Sequence, residues 1–404
     1  MMIKDIPSSD DFIASGVDFL NIAWEQILNL LEDYDEIKVF SEMDNGEEGN
    51  EEIDNEYWRT VQRPLSTYLA LIQQGNEFLL KGNIVKKNPY LILSADWHSK
   101  LSQNGDVSFS SLKTIEASDL IKVYNAVIDS ALSDEFQTVF KELRSKRNTL
   151  IHSVPPKNLA IEYKDLLLNI LEISQELIGE HLWIETRKMF LSNNRNLKMI
   201  QRDDKLINAN ITKRVASEIK KIIELLEPSS LKRYFRISDK KQNWYFCPHC
   251  YKALEVFSNY DEDLSEIPKL AQMTSKGSKI TTLYCFVCHK TSEVSRDKCN
   301  CEGCRTNVIS DSGICLTCGN LERPTMIPVT LKIPVKDVEK LKQLAPILGF
   351  DDYQLLIGAY INRKMRANLE KLESNGFNAL IASLKRHGVS DDVIHEALNE
   401  VVNK

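Results

Sequence analysis

The chain has 404 residues, 43% hydrophobic and 27% charged, with a formal net charge of −7. That length and balance are ordinary for a globular protein of about two to four domains, and they exclude a uniformly basic chain. No apolar run approaches the roughly 18–20 residues of a membrane span, and the polar, acidic start from Met1 to Asp11 is unlike a signal peptide, so the expected location is the cytoplasm.

Residues 10–235 read as mostly helical. Apolar residues recur at three- and four-residue steps in Phe19, Ile22, Ile27, Leu30 and Leu31. The pattern returns in Leu69, Leu71, Ile72, Phe78 and Leu79, and again in Leu166, Ile170, Ile173, Leu177 and Ile178. Residues 42–56 carry eight carboxylates and no Lys or Arg, which predicts a solvated acidic loop. Pro155-Pro156 marks a boundary between helices, and Pro228-Ser229-Ser230 closes a last long helix near Val215 to Glu227.

The segment Phe140 to Val154 predicts a helix with Phe140, Leu143 and Leu150 on its apolar side. It ends in Arg147-Asn148-Thr149-Leu150-Ile151-His152. Metal-free RNA cleavage needs a base for the 2′-OH proton and a cation for the developing phosphorane charge. Neutral imidazole suits the first and planar, permanently charged guanidinium the second. Asn148 and His152 are i,i+4 neighbours, with Arg144 one step further along the same stripe. Arg147 lies about 140° around the helix from His152, so one helix alone converges poorly. These residues resemble the HEPN family of small helical bundles, whose ribonuclease members carry R-x4-H with a polar residue after the Arg. The resemblance covers roughly residues 10–190 and includes the stretch Gln74 to Lys81. It implies a dimer in which two such helices meet at a two-fold axis, with Arg147, Asn148 and His152 in the composite cleft. The open alternatives are a HEPN domain that binds without cleaving, and a plain helix end where the dipole alone favours His152. HEPN toxins of the nucleotidyltransferase-linked type carry a Tyr two places after the His; here that place is Val154.

Residues 186–241 hold fifteen Lys or Arg against six Asp or Glu. They predict either a nucleic-acid-facing surface or a solvated helix face. His98, His181, His387 and His395 have no plausible sequence partner and read as structural or solvated.

All nine cysteines lie between positions 247 and 318. Clustered CxxC pairs in a reducing compartment point to metal rather than cross-links. Cys247 and Cys250 are answered by Cys285 and Cys288; Cys301 and Cys304 are answered by Cys315 and Cys318. Each CxxC turn offers two thiolates, and two turns complete a tetrahedral shell, so two structural Zn²⁺ ions are expected, with no open position for catalysis. Cys299 either replaces Cys301 or stands outside the shell, and a cross-braced pairing is the alternative connectivity. His249 and His289 are expected beside the ligands, not among them.

Pro328-Val329-Thr330-Leu331-Lys332-Ile333-Pro334 alternates at period two, and helical patterns follow to Leu348-Gly349-Phe350 and from Tyr353 onward. Residues 326–371 resemble the ribbon-helix-helix fold of CopG-type antitoxins and repressors. In that family paired strands enter the DNA major groove, which implies base contact by Thr330 and Lys332. Pro346 within the first helix and the acidic Asp351-Asp352 depart from a good DNA binder. A dimerisation ribbon without DNA contact is the alternative.

The expected architecture is mainly α. An N-terminal HEPN-like bundle at 1–235 includes the acidic loop, a Cys₄ zinc-ribbon module spans 240–320, and a ribbon-helix-helix-like module with a helical tail spans 325–404. The leading functional expectation is a dimeric, metal-independent HEPN-type endoribonuclease acting on RNA as a toxin or phage-defence effector. The sequence leaves open whether a partner keeps such an activity silent. The alternative is a non-enzymatic DNA-binding regulator working through Thr330 and Lys332.

Overall fold

The computed structural model describes residues 2–45, 50–95, 106–152, 160–193, 203–254, 268–275, 281–301, 304 and 308–319, with 338–342, 353 and 357 beyond them. Of residues 42–45, 50–53 and 151–152 it describes the backbone alone. Two compact units divide the chain at Pro324 and Thr325. The helical part and the cysteine-rich part both fall in the first unit, Met1–Pro324.

The first unit is mainly helical with a small antiparallel sheet. A short strand β1 (Ile3–Lys4) pairs in parallel with β2 (Val107–Ser108). Two long helices, α1 (Ser9–Asn45) and α3 (Gln62–Lys87), form its spine. Leu20, Trp24, Ile27 and Leu31 are almost wholly buried along α1, at 4-3-4 spacing. Ile22, expected on this stripe, is 40% exposed, so the buried face lies to one side of the one read from sequence. On α3, Leu69, Ile72 and Leu79 are buried as expected. The two helices approach closely because Gly16 meets Gly75. A Cβ added at Gly75 would sit 2.9 Å from the Gly16 carbonyl oxygen, which only glycine permits.

The acidic loop expected at 42–56 is largely helix. α1 runs to Asn45, and α2 (Asn50–Thr60) begins five residues later. Glutamate is a good helix former, and Glu51 and Glu52 fall in the first turn of α2, where the helix dipole favours negative charge. After α4 (Ala117–Val127) comes α5 (Asp134–His152), which buries Phe136, Phe140 and Leu143 against α3 and α6 (Tyr163–Leu177). α6 buries Leu166, Ile170, Ile173 and Leu177. α7 (Trp183–Asn193), α8 (Asp204–Leu225) and α9 (Pro228–Phe235) complete the helical body. Pro228 does not merely follow α8; it opens α9 at the first turn, where its missing N–H costs nothing.

Within the basic stretch 186–241, Lys205, Lys213, Lys220, Lys232, Arg236 and Lys241 are exposed, while some of its cations are paired within the fold. Arg187 is 2% exposed and forms a forked pair with Glu218, at 2.9 Å from Nη2 and 3.0 Å from Nε. Glu218 also accepts from the Trp24 indole at 3.1 Å and from Arg214 at 3.3 Å. Arg214 reaches Glu25 at 2.5 Å, so α1, α7 and α8 are tied through one charged network. Lys221 pairs with Asp35, and Arg233 with Glu135 and Glu172. Of these cations Arg187 alone is buried; Arg214, Lys221 and Arg233 pair at the surface of the fold.

After the short helix α10 (Pro248–Leu254), a four-stranded antiparallel sheet runs in chain order: β3 (Ala271–Met273), β4 (Thr282–Cys285), β5 (Thr291–Ser295), β6 (Ile309–Ser310). Ala271 stands opposite Cys285, and Tyr284 opposite Thr291. Of the second unit, Thr325–Lys404, a helical stretch at 338–342 is described, with Lys342 Nζ 5.5 Å from the Tyr353 ring centroid. The expected strand Pro328–Pro334, with Thr330 and Lys332, lies outside the described residues, as do His98, His387 and His395. No described helix is long and apolar enough to cross a membrane.

Candidate functional site

None of the nine cysteines forms a disulfide. The sulfurs of Cys247, Cys250, Cys285 and Cys288 lie within 4.8 Å of one another, as do those of Cys299, Cys304, Cys315 and Cys318. A tetrahedron with metal–sulfur bonds of ~2.3 Å has sulfur–sulfur edges of roughly 3.8 Å. The observed edges are 3.5 Å for Cys247–Cys288 and 3.8 Å for Cys250–Cys285. In the second set they are 3.7 Å for Cys299–Cys318 and 3.8 Å for Cys304–Cys315. Both donor sets fit a metal ion. The pairs join in sequential order, not cross-braced.

The first set forms as expected. The second differs: Cys299 takes the place assigned to Cys301. The reason is visible in the knuckle backbone. In the first centre the amide of Val287 donates to Cys285 Sγ at 3.3 Å, two residues back. In the second, the amide of Cys301 donates to Cys299 Sγ at 3.4 Å in the same relation. Cys299 therefore occupies the leading position of its knuckle, and Cys301 sits beside the cluster.

Thiols this crowded titrate together. Hydrogen bonds from Cys247, Cys250 and Cys285 hold Cys288 well below the usual thiol range. The bond with Cys247 and burial push Cys250 and Cys285 far above it. A cation relieves this competition by replacing the shared protons. The two centres are also linked by backbone. Phe246, just before the first ligand, donates its amide to the Leu316 carbonyl at 2.7 Å, between two ligands of the second centre. From the helical body, Lys188 of α7 donates to the Val287 carbonyl, and Glu185 meets His289 Nδ1 at 2.5 Å. Burial alone would raise Glu185, but the bond and charge of His289 hold it below the usual carboxylate range. His249 and His289 belong to neither sulfur set.

The other expected site lies at the end of α5. Phe136, Phe140 and Leu143 form the buried stripe, and Arg147 is the next position on it, half-buried. Its Nη1 donates to Asn148 Oδ1 at 3.2 Å, so the carboxamide fixes one side of the guanidinium. Arg147 makes no ion pair with a described residue, and the same holds for Lys141, Arg144 and Lys146 on this helix. The helix runs through His152, whose side chain lies outside the described residues.

No family model, curated protein or solved structure matches the chain.

The geometry must therefore speak for itself. It brings Arg147 and Asn148 into contact and leaves Arg144 half-buried nearby on the helix. The sequence reading of His181 leaves open a structural or a solvated role, and the structure shows a fold contact. The His181 Nδ1–H donates to the Tyr234 carbonyl at 3.0 Å. Gly179 two residues earlier was the available signal: a glycine beside a histidine at a helix junction marks a tight, specific turn.

Proposed function

We propose that this chain is a metal-independent endoribonuclease of the HEPN type, working as a symmetric dimer in a toxin or phage-defence role. His152 acts as the base that takes the 2′-OH proton. The freed oxygen attacks the adjacent phosphorus, Arg147 stabilises the equatorial charge, and the 5′-oxygen leaves with a proton. The products are a 2′,3′-cyclic phosphate and a 5′-hydroxyl. Asn148 holds the Arg147 guanidinium in plane.

One observation carries this reading: Arg147 continues a core-facing stripe, half-buried, bonded to Asn148 and without a carboxylate among the described residues. A guanidinium in that position is poorly solvated and favours an anion such as a phosphodiester. The neighbouring Lys141, Arg144 and Lys146 extend the positive field.

The two thiolate centres hold Zn²⁺ in this proposal. All-sulfur tetrahedral shells suit zinc or iron–sulfur chemistry, and closed four-coordinate shells with no open position suit structural zinc. Zinc supplies cross-links within the cysteine-rich region, joining α10 to the end of β4 in the first centre, and takes no part in cleavage.

The test is incubation of purified protein with total RNA, wild type beside His152→Ala and Arg147→Ala. Cleavage by wild type, lost in both variants and unaffected by brief EDTA treatment, supports the assignment. Cleavage that persists in both variants, or none by wild type, removes it.

A further inference from the structure

Four described residues other than glycine hold a left-handed backbone: Asp5, His181, Arg236 and His289, with φ of 55°, 60°, 61° and 56°. Side chains rarely adopt that conformation, and where they do it tends to mark a functional site. Three of the four, His181, Arg236 and His289, line a single cleft of about 210 Å³. They come from three separate places: the turn between α6 and α7, the end of α9, and the metal knuckle after β4. At each, glycine would sit more easily. Arg236 ends α9 by donating its amide to the Leu231 and Lys232 carbonyls, a position glycine usually fills. His289 closes its turn by donating to the Cys285 carbonyl at 3.0 Å. The chain instead places an imidazole, a guanidinium and another imidazole around one opening.

His181 Nδ1–H donates to the Tyr234 carbonyl, which fixes the ring and leaves Nε2 outside that bond. The Tyr234 hydroxyl is in turn anchored on Glu172 at 2.8 Å. Arg236 is exposed and makes no ion pair with a described residue. The His289 ring lies nearly parallel to Tyr284, with centroids 6.2 Å apart and planes 21° apart, and Glu185 steadies it from behind. Glu180 at the rim is the carboxylate among the lining groups. A cleft with one unpaired cation, a flat aromatic wall and a ring nitrogen outside the fold's own hydrogen bonds matches a ligand carrying an anion and a flat ring with a polar edge. Its volume suits one such unit and no duplex.

We infer that this cleft binds one nucleoside monophosphate unit, either free or within a single RNA strand, with the phosphate on Arg236 and the base against the Tyr284–His289 wall. Base stacking on aromatic side chains and phosphate capture by arginine are the usual means of single-strand recognition. The inference goes beyond the ribonuclease reading, since it uses none of Arg147, Asn148 or His152 and requires no cleavage.

The test is equilibrium binding by fluorescence anisotropy, using the full chain with its metal. Two probes separate the sources: ribose-labelled fluorescent AMP, and a labelled 2′-O-methyl hexaribonucleotide, which lacks the attacking hydroxyl. At least one probe should bind. Arg236→Gln should weaken that binding about tenfold or more, and Arg236→Lys should recover part of it. Tyr284→Leu should cost a further roughly tenfold. AMP binding as tight as the hexamer identifies free nucleotide as the ligand; hexamer binding alone identifies the strand. Metal content and thermal midpoint check folding, and exposed Arg236 decides the matter if Tyr284→Leu folds poorly. The inference is overturned if neither probe binds, if Arg236→Gln binds as wild type does, or if inorganic phosphate competes as well as AMP.

Discussion

Cysteine identity at the second metal centre depends on a single backbone bond. The CxxC pattern leads to Cys301, because Cys301 and Cys304 have the spacing that Cys247 and Cys250 share. The structure selects Cys299, whose sulfur accepts the amide two residues ahead. Spacing in a sequence counts residues, while ligation depends on which sulfur the turn aims inward, so the sequence offers Cys299 as a replacement for Cys301 without choosing it. Cys299→Ser should reduce bound metal from two ions to one, and Cys301→Ser should leave two, by elemental analysis of purified protein. The opposite pattern would restore the sequence assignment. For Arg147 and Asn148 the sequence shows only their order, and the structure adds the contact between their side chains. Arg187 was read as surface charge because composition cannot show direction. Removing one partner of a buried ion pair costs about 3–5 kcal/mol. Arg187→Met should lower unfolding stability by that amount in urea titration, because Glu218 keeps its burial; a loss under about 1 kcal/mol would mean that Arg214 and Trp24 suffice.

Among the elements, helix content was readable and helix faces were less so. α6 repeats its apolar residues at clean 4-3-4 spacing and buries those four. α1 has apolar residues on several sides, and packing against α3, together with Trp24 on Trp183 of α7, decides which face turns inward. The acidic segment failed for a related reason: charge density suggested a loop, but glutamate propensity and the dipole of a new helix start favour α2. The α1–α3 contact offers a test. Gly75→Ala gains helix propensity of about 1 kcal/mol but forces a methyl to 2.9 Å from the Gly16 carbonyl. Overpacking of this kind costs about 1–3 kcal/mol, so thermal melting should show a net loss; a higher midpoint would mean that the helices separate freely. Arg236 predicts the reverse sign. Arg236→Gly should stabilise the chain by about 1 kcal/mol, since it relieves a left-handed backbone. Unchanged or lower stability would show that the guanidinium supports the fold.

At the scale of the whole molecule, the two cysteine clusters and the helical bundle fall in one compact unit. Cys247 and Cys285 belong to the main hydrophobic core, whereas Cys299 and Cys315 form a small core of their own, with Cys318 exposed. A competing chelator should therefore remove the second ion first, with little loss of helix by circular dichroism, and removal of the first should unfold the unit. Simultaneous release would contradict this order. The dimer proposed for catalysis comes from helix geometry: Arg147 and His152 diverge by about 140° on one α5, so a shared cleft needs two chains. The most direct measurement is RNA cleavage by a mixture of Arg147→Ala and His152→Ala subunits, co-refolded or co-expressed at equal amounts. If each site takes Arg147 from one subunit and His152 from the other, half the dimers carry one intact site, and about a quarter of wild-type activity should return from two inactive parents. A mixture as inactive as either parent, beside an active wild type, would contradict the composite site.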